Sequence, residues 1–147
     1  TYDLQPEMSA PLVLEALIKE LDKHYLDVVI LNFANCDMVG HTAVKDAVIK
    51  AVETVDYCVG EIFKWCENNN GTLLITADHG NAEEILDVDN RPFTAHTTNL
   101  VPFSINIKGI KLKDSDGKLA DIAPTIIDLL GDEVPSEMSG TSLIIHE

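Results

Sequence analysis

Apolar and polar positions change their period several times along the chain, and each change marks an element. Leu14, Leu17, Ile18, Leu21 and Tyr25 recur at helical spacing, with Glu15, Lys19, Glu20, Asp22 and Lys23 between them. Ser9 suits an N-cap and Pro11 is tolerated in a first turn, so a helix is predicted from about residue 10. Val28 to Leu31 is then an unbroken apolar run, the pattern of a strand buried on both faces of a parallel sheet, and the predicted strand covers residues 27–33. A second helical stripe of Val44, Val48, Ala51, Val55, Val59, Ile62 and Cys66 predicts a long amphipathic helix over residues 42–67. The Asn68-Asn69-Asn70-Gly71 turn ends it. Leu73 to Thr76 is again apolar and β-branched. Strand, helix and strand make a βαβ unit with a right-handed crossover, which puts both strand ends on one edge of the sheet.

Gly80 to Leu100 has no sustained periodicity, and a connection of that length in a compact domain is usually functional or disordered. Val101 to Ile107 predicts another strand, with Pro102 pointing to an edge or a late entry into the ladder. After a charged turn region, Asp121 caps a short helix with Pro124 in its first turn. Ile122, Ile126, Ile127 and Leu130 form its apolar stripe and Gly131 its stop. The tail is irregular apart from Leu143-Ile144-Ile145, and His146 is expected in solvent. His24, at a helix end, is expected only to face the negative end of the helix dipole.

At 147 residues the chain fits one domain, and 46% hydrophobic residues suit a sheet buried on both faces. The fold class expected is therefore α/β, a mostly parallel sheet flanked by helices. No apolar run reaches membrane-spanning length and no basic-then-apolar leader is apparent, so no membrane partner and a cytoplasmic location are expected. A net charge of −15 argues against nucleic acid. Arg91 is the sole arginine, which leaves little to clamp an anionic substrate bidentately. Cys36, Cys58 and Cys66 make no C-x-x-C pair and imply no disulfide framework. Cys58 and Cys66 are expected as core residues, whereas Cys36, beside Asp37, is a minor candidate for lining a site.

The chemistry concentrates at strand ends. Asp78 and His79 follow Leu73–Thr76, Asp37 and His41 follow the earlier strand, and His96 sits in the long polar loop. Carboxyl ends of strands are where open α/β sheets place their sites. Taken singly, Asp37 reads as a helix cap and Asp78-His79 as a solvated turn. Together, two carboxylates and three imidazoles resemble the ligand set of a two-metal site, and the mix suits Mn²⁺ or Zn²⁺ better than Ca²⁺. Such ions can hold phosphoryl oxygens and neutralise charge as a phosphoryl group moves.

Four blocks carry a resemblance. Residues 2–10 (Tyr2 to Ala10), Asn32-Phe33-Ala34-Asn35 leading to Asp37-Met38-Val39-Gly40-His41-Thr42, residues 76–83 (Thr76 to Glu83) and Thr94-Ala95-His96-Thr97-Thr98-Asn99 resemble the cofactor-independent (2,3-bisphosphoglycerate-independent) phosphoglycerate mutases. That family lies within the alkaline phosphatase superfamily. The Asp-His-Gly element and the helix start at Asp121 are shared across the superfamily, and the other blocks are more specific to the mutases.

The resemblance implies an alkaline-phosphatase-like, partial phosphatase domain over residues 1–147. It also implies a dinuclear site of divalent ions, Mn²⁺ foremost with Mg²⁺, Co²⁺ or Zn²⁺ as alternatives. Asp37, His41 and His96 would hold one ion, and Asp78 and His79 would contribute to the other. The implied reaction interconverts 3-phosphoglycerate and 2-phosphoglycerate through a phosphoserine, in glycolysis and gluconeogenesis, by a monomer. The nucleophilic serine, one more ligand aspartate and the substrate-gripping arginines belong in the family to an N-terminal segment and an inserted domain outside this chain. Hence no catalytic residue is assigned here, no substrate-binding residue is identified, and the chain alone is expected to be inactive. Phosphopentomutase, a phosphohydrolase and a non-catalytic metal-binding domain are the alternatives. Cys36 stands where the family usually has proline and Ala43 where it often has glycine.

Overall fold

The computed structural model describes residues 1–146, and the chain forms two compact units, residues 1–106 and 107–147. In the first unit a short 3-10 turn (Tyr2–Leu4) precedes α1 (Ala10–Leu21), α2 (Asn35–Gly40), α3 (Lys45–Asn69), β1 (Leu74–Thr76) and β2 (Phe103–Ile105). Ser9 occupies the N-cap of α1 and Pro11 its first turn, as its residue types favour, although the Ser9 hydroxyl makes no capping bond. The predicted long helix is α3, which runs for 25 residues. It ends where Asn70 adopts a left-handed conformation at φ 55°, one of the few non-glycine residues that tolerates it.

One stripe of α3 buries Ala47, Val48 and Ala51 against Val39 of α2, and Met8, Ala82 and Ile85 pack around that cluster. The residues that follow the predicted first strand are thus anchored to the best-packed part of the unit. Cys58 and Cys66 are buried further along the same helix, as expected.

Two strand expectations need correction. Val28 to Leu31 has no regular structure and joins no ladder among the described residues, and it is exposed, Ile30 to 87%. An apolar run signals a strand that wants covering, and says nothing about which segment covers it. The pairing is also not parallel. β1 and β2 run antiparallel, Leu74 opposite Ile105 and Thr76 opposite Phe103. The long loop between them reverses direction through the single bridges Leu86–Pro92 and Gly80–Thr97.

In the second unit β3 (Lys111–Leu112) pairs antiparallel with β4 (Ile144–Ile145), and α4 (Ile122–Leu130) lies between them in sequence. Asp121, Pro124 and Gly131 (φ 79°) take the positions expected at its ends. Its buried residues are Pro124 and Thr125 rather than the predicted isoleucine stripe, and Leu130 is 51% exposed. The Thr125 hydroxyl donates to the Asp121 carbonyl at 2.7 Å and accepts the Leu143 amide at 2.9 Å, which is why a polar residue can be buried there. His146 is exposed as expected, and its Nε2 lies 2.8 Å from Asp128, whose carboxylate also accepts the Ser142 hydroxyl. No described helix is long and apolar enough to cross a membrane.

Candidate metal centre

α2 is a helix of six residues placed directly after the Val28–Phe33 segment, and Asp37 is in its first turn. Its last residue, Gly40, is followed by His41, so Asp37 and His41 stand one helical turn apart on the same face. The helix is held by Asn35, whose buried amide donates to the carbonyls of Pro6 and Glu7 at 2.8 and 2.9 Å. Pro6 and Glu7 therefore anchor the segment that carries Asp37 and His41.

The second segment leaves β1 at Thr76 and turns at Asp78 to Asn81. The third, around His96, is tied to it: the Thr97 amide donates to the Gly80 carbonyl at 2.9 Å. Glu83 strengthens that tie. Its carboxylate accepts the Asn81 amide at 2.7 Å, the Asn99 side chain at 3.0 Å and the Thr97 hydroxyl. These donors, led by the Thr97 hydroxyl, hold the Glu83 carboxyl below the usual carboxylate range.

Asp37, His41, His79 and His96 converge. Asp37 Oδ1 lies 3.0 Å from His96 Nε2 and 3.1 Å from His41 Nε2, and the two imidazole nitrogens are 3.2 Å apart. The rings of His79 and His96 stack with centroids 3.6 Å apart, and Asp37, His79 and His96 each offer a donor atom within 4.8 Å of the others. Asp78 is farther out, 78% exposed at its side chain and 3.7 Å from His79 Nε2. Partial burial pushes the Asp37 carboxyl up, but the Asn81 amide and the three imidazoles together hold it below its ordinary value. Cys36 is half-buried and burial raises its thiol, so it offers no ready thiolate to this cluster.

The donor set fits a divalent cation. His41 Nδ1 lies 2.6 Å from the Thr94 carbonyl, so in the neutral ring Nδ1 carries the proton and Nε2 carries the lone pair that faces Asp37. In the tautomer of His96 protonated at Nε2, that N–H can donate to both Asp37 and His41 and points among the potential ligand atoms. A carboxylate oxygen and imidazole nitrogens converging in this way suit Mn²⁺, Co²⁺ or Zn²⁺. One residue of the cluster was not singled out from sequence: Asn81, which looks like an ordinary turn residue but is 4% exposed and bonded to Asp37.

Comparison with known proteins agrees with this chemistry. The model of the Metalloenzyme superfamily matches residues 1–134. The 2,3-bisphosphoglycerate-independent phosphoglycerate mutase of Staphylococcus haemolyticus (strain JCSC1435) is 52% identical over 146 residues, 99% of this chain and 29% of that protein. Its counterpart from Clostridium perfringens (strain SM101 / Type A) is 55% identical over 148 residues, 98% of this chain and again 29% of that protein. The structure of Leishmania mexicana phosphoglycerate mutase at low cobalt concentration superposes with a TM-score of 0.90 and 32% identity, covering 99% of this chain and 30% of that one. The α/β, alkaline-phosphatase-like class expected from sequence therefore stands, while this chain spans less than a third of the length of those relatives.

Proposed function

The chain belongs to the Metalloenzyme superfamily, and on that premise we propose that it is the metal-holding part of a 2,3-bisphosphoglycerate-independent phosphoglycerate mutase. The observation that carries the proposal is the convergence of Asp37, His41, His79 and His96 from three segments far apart in sequence. Residues 1–147 act as one part of a larger metal-binding phosphatase domain. The exposed apolar run at Val28–Leu31 is a strand of that domain, covered by sequence outside this chain.

Within it, Asp37, His41 and His96 hold one divalent ion and Asp78 with His79 contribute to a second. Mn²⁺ is the working choice on donor chemistry. When bound, the ions polarise phosphoryl oxygens and offset charge that builds up during transfer. The residues of this chain bind and orient. Thr94 sets the His41 tautomer, Glu83 fastens the His96 segment to the turn after β1, and stacking on His79 fixes the plane of the His96 ring. The substrate is a phosphoglycerate, and the whole enzyme interconverts its 3- and 2-phospho forms in glycolysis, as a cytoplasmic monomer with no nucleic-acid or membrane partner.

A chimera tests the proposal. This sequence replaces the matching 29% of the Clostridium perfringens relative, and 3-phosphoglycerate conversion is followed with Mn²⁺ present. Conversion that needs Mn²⁺ and disappears in Asp37→Ala is expected. A chimera that folds with native circular dichroism yet converts nothing would favour the non-catalytic alternative.

A further inference from the structure

Asn81 does more than turn the chain. Its side-chain Nδ2 donates to Asp37 twice, to the carboxylate Oδ1 at 2.8 Å and to the backbone carbonyl at 3.3 Å, and it comes within 3.5 Å of His41 Nε2. The two residues it grips are 44 and 40 positions away in sequence. Its own backbone is pinned by the Glu83 carboxylate at 2.7 Å. It is 4% exposed, so the amide makes these contacts out of bulk water, where a hydrogen bond to an ionised oxygen is at its strongest.

The other end of the same amide is the second observation. Asn81 Oδ1 is buried and has no hydrogen-bond partner among the described residues. Turning the amide over would bring Oδ1 against the Asp37 carboxylate, acceptor facing acceptor, so the unpaired oxygen follows from the orientation that Asp37 demands. It points at the backbone of Gly40, where a Cβ would lie 2.8 Å from Asn81 Cγ and closer still to Oδ1. Glycine at position 40 therefore makes room for the amide beside Asp37 and His41, which flank it on and just after α2. A buried acceptor left unsatisfied is costly, and a mere packing residue would avoid it.

We propose that Asn81 is a positioning residue for the metal site, its amide aiming the Asp37 carboxylate and, with Gly40 as its seat, holding the spacing between Asp37 and His41. Two donors on Asp37, one on the carboxylate and one on the carbonyl, restrict rotation of the side chain relative to the helix that carries it. They leave Oδ2 and the outer lone pair of Oδ1 for a cation. As the amide is uncharged, it orients the carboxylate without competing for the cation. The proposal rests on the metal-site reading given above, and it concerns how tightly and in what geometry the site binds.

Co²⁺ titration of the full chain tests it, because the visible d–d bands report ligand geometry separately from affinity. Wild type is compared with Asn81→Leu, which keeps the volume and removes the donors, and with Gly40→Ala, which keeps the amide and takes its seat. Outer-shell partners of ligating groups typically contribute 10–100-fold to affinity, so each variant should bind Co²⁺ about 10–100-fold more weakly, with shifted d–d bands. Where Asn81→Leu loses its helical circular dichroism, Gly40→Ala carries the test. Folded variants with the wild-type dissociation constant and spectrum overturn the positioning role alone. A wild-type chain that binds no Co²⁺ overturns the metal reading, and this inference with it.

Discussion

His41 Nδ1 lies 2.6 Å from the carbonyl oxygen of Thr94, a residue 53 positions later in the chain. A carbonyl can only accept, so the neutral imidazole must carry its proton on Nδ1. That choice leaves Nε2 as the lone-pair nitrogen, the one that faces Asp37 at 3.1 Å. The proposed ligand His41 is thus set in the tautomer that metal binding would need by the loop that also supplies His96. Long-range ¹H–¹⁵N correlation spectra of the metal-free chain should show His41 with a protonated Nδ1 and a pyridine-type Nε2. A neutral His41 protonated at Nε2 would contradict the assignment.

Glu83 is the next element of the same arrangement. Its carboxylate gathers the Thr97 hydroxyl, the Asn99 amide and the Asn81 backbone amide, and so joins the turn after β1 to the His96 segment. Glu83→Ala should loosen that segment with little effect on global melting, since the carboxylate is exposed and such bonds contribute about 1 kcal/mol. Hydrogen exchange at the Thr97 amide, bonded to Gly80 at 2.9 Å, should speed up while the amides of α3 stay protected. Unchanged exchange at Thr97 would show that the β-bridge holds without Glu83.

Ala43 has φ 51°, in the left-handed region that glycine occupies freely. This explains in backbone terms why relatives of the resembled family often carry glycine there. An alanine held left-handed costs about 1–2 kcal/mol, and glycine returns some of that through a more flexible unfolded chain, about 0.4–1 kcal/mol. Ala43→Gly should therefore be neutral to about 1 kcal/mol stabilising in urea denaturation. Ala43→Val, β-branched in the same conformation, should be clearly destabilising. Loss of stability in Ala43→Gly would mean the strain is relieved in another way.

Much of this was legible in the sequence, for physical reasons that differ by element. The stripe on α3 was readable because burial repeats with the helical period, and Asn70-Gly71 marked its end through left-handed backbone. Asp37, His41, His79 and His96, which converge, were among the five candidates because strand ends confine chemistry to short segments, whereas Asp78 stands farther out and exposed. The Val28–Leu31 run was legible as a segment that wants burial, but not what would cover it, because hydrophobicity records a need for burial and not the partner. The antiparallel pairing of β1 with β2 was hidden because the Gly80–Leu100 loop has no period to show where the chain reverses. Asn81 escaped notice because an asparagine beside a glycine looks like turn chemistry, and only the fold brings Asp37 to it.

Asp121 sets an acid limit on the second unit. Its buried carboxylate accepts the Thr141 amide at 2.8 Å and the Lys118 amide at 2.9 Å. These backbone donors, Thr141 first, hold its carboxyl below the ordinary aspartate value. A carboxyl depressed in the folded state stabilises it above the unfolded value, about pH 3.9, and that stability is lost as pH falls through the folded value. Asp121→Asn should lower stability by about 1–3 kcal/mol at pH 7, by leaving buried amides poorly paired, and should flatten the acid limb below about pH 4. Chemical denaturation at pH 7 and at pH 3 checks both, and an unchanged acid limb would assign acid sensitivity to other groups.

Metal should stabilise the chain, and the site says by how much and through which residues. Asp37 and Asp78 stand on segments that meet, in a chain of net charge −15, so folding gathers negative charge that a bound cation would offset. A ligand bound only by the folded state adds about 2.7 kcal/mol at a hundredfold excess over its dissociation constant. For a domain of this size that corresponds to roughly 5–10 °C in melting temperature. Mg²⁺ or Na⁺ at matched ionic strength should do less, since screening a charge is not coordinating a metal. Mn²⁺ should therefore raise the melting temperature and EDTA should reverse the gain. Asp37→Asn combined with His96→Ala should abolish the response. The metal-free double variant should melt close to the metal-free wild type, because the Asp37–His96 pair is 33% and 46% exposed at its side chains and pairs of that kind contribute only about 0–1 kcal/mol. A metal-free double variant far less stable than wild type would show that these residues serve the fold through their hydrogen bonds, with no need of a metal to explain them.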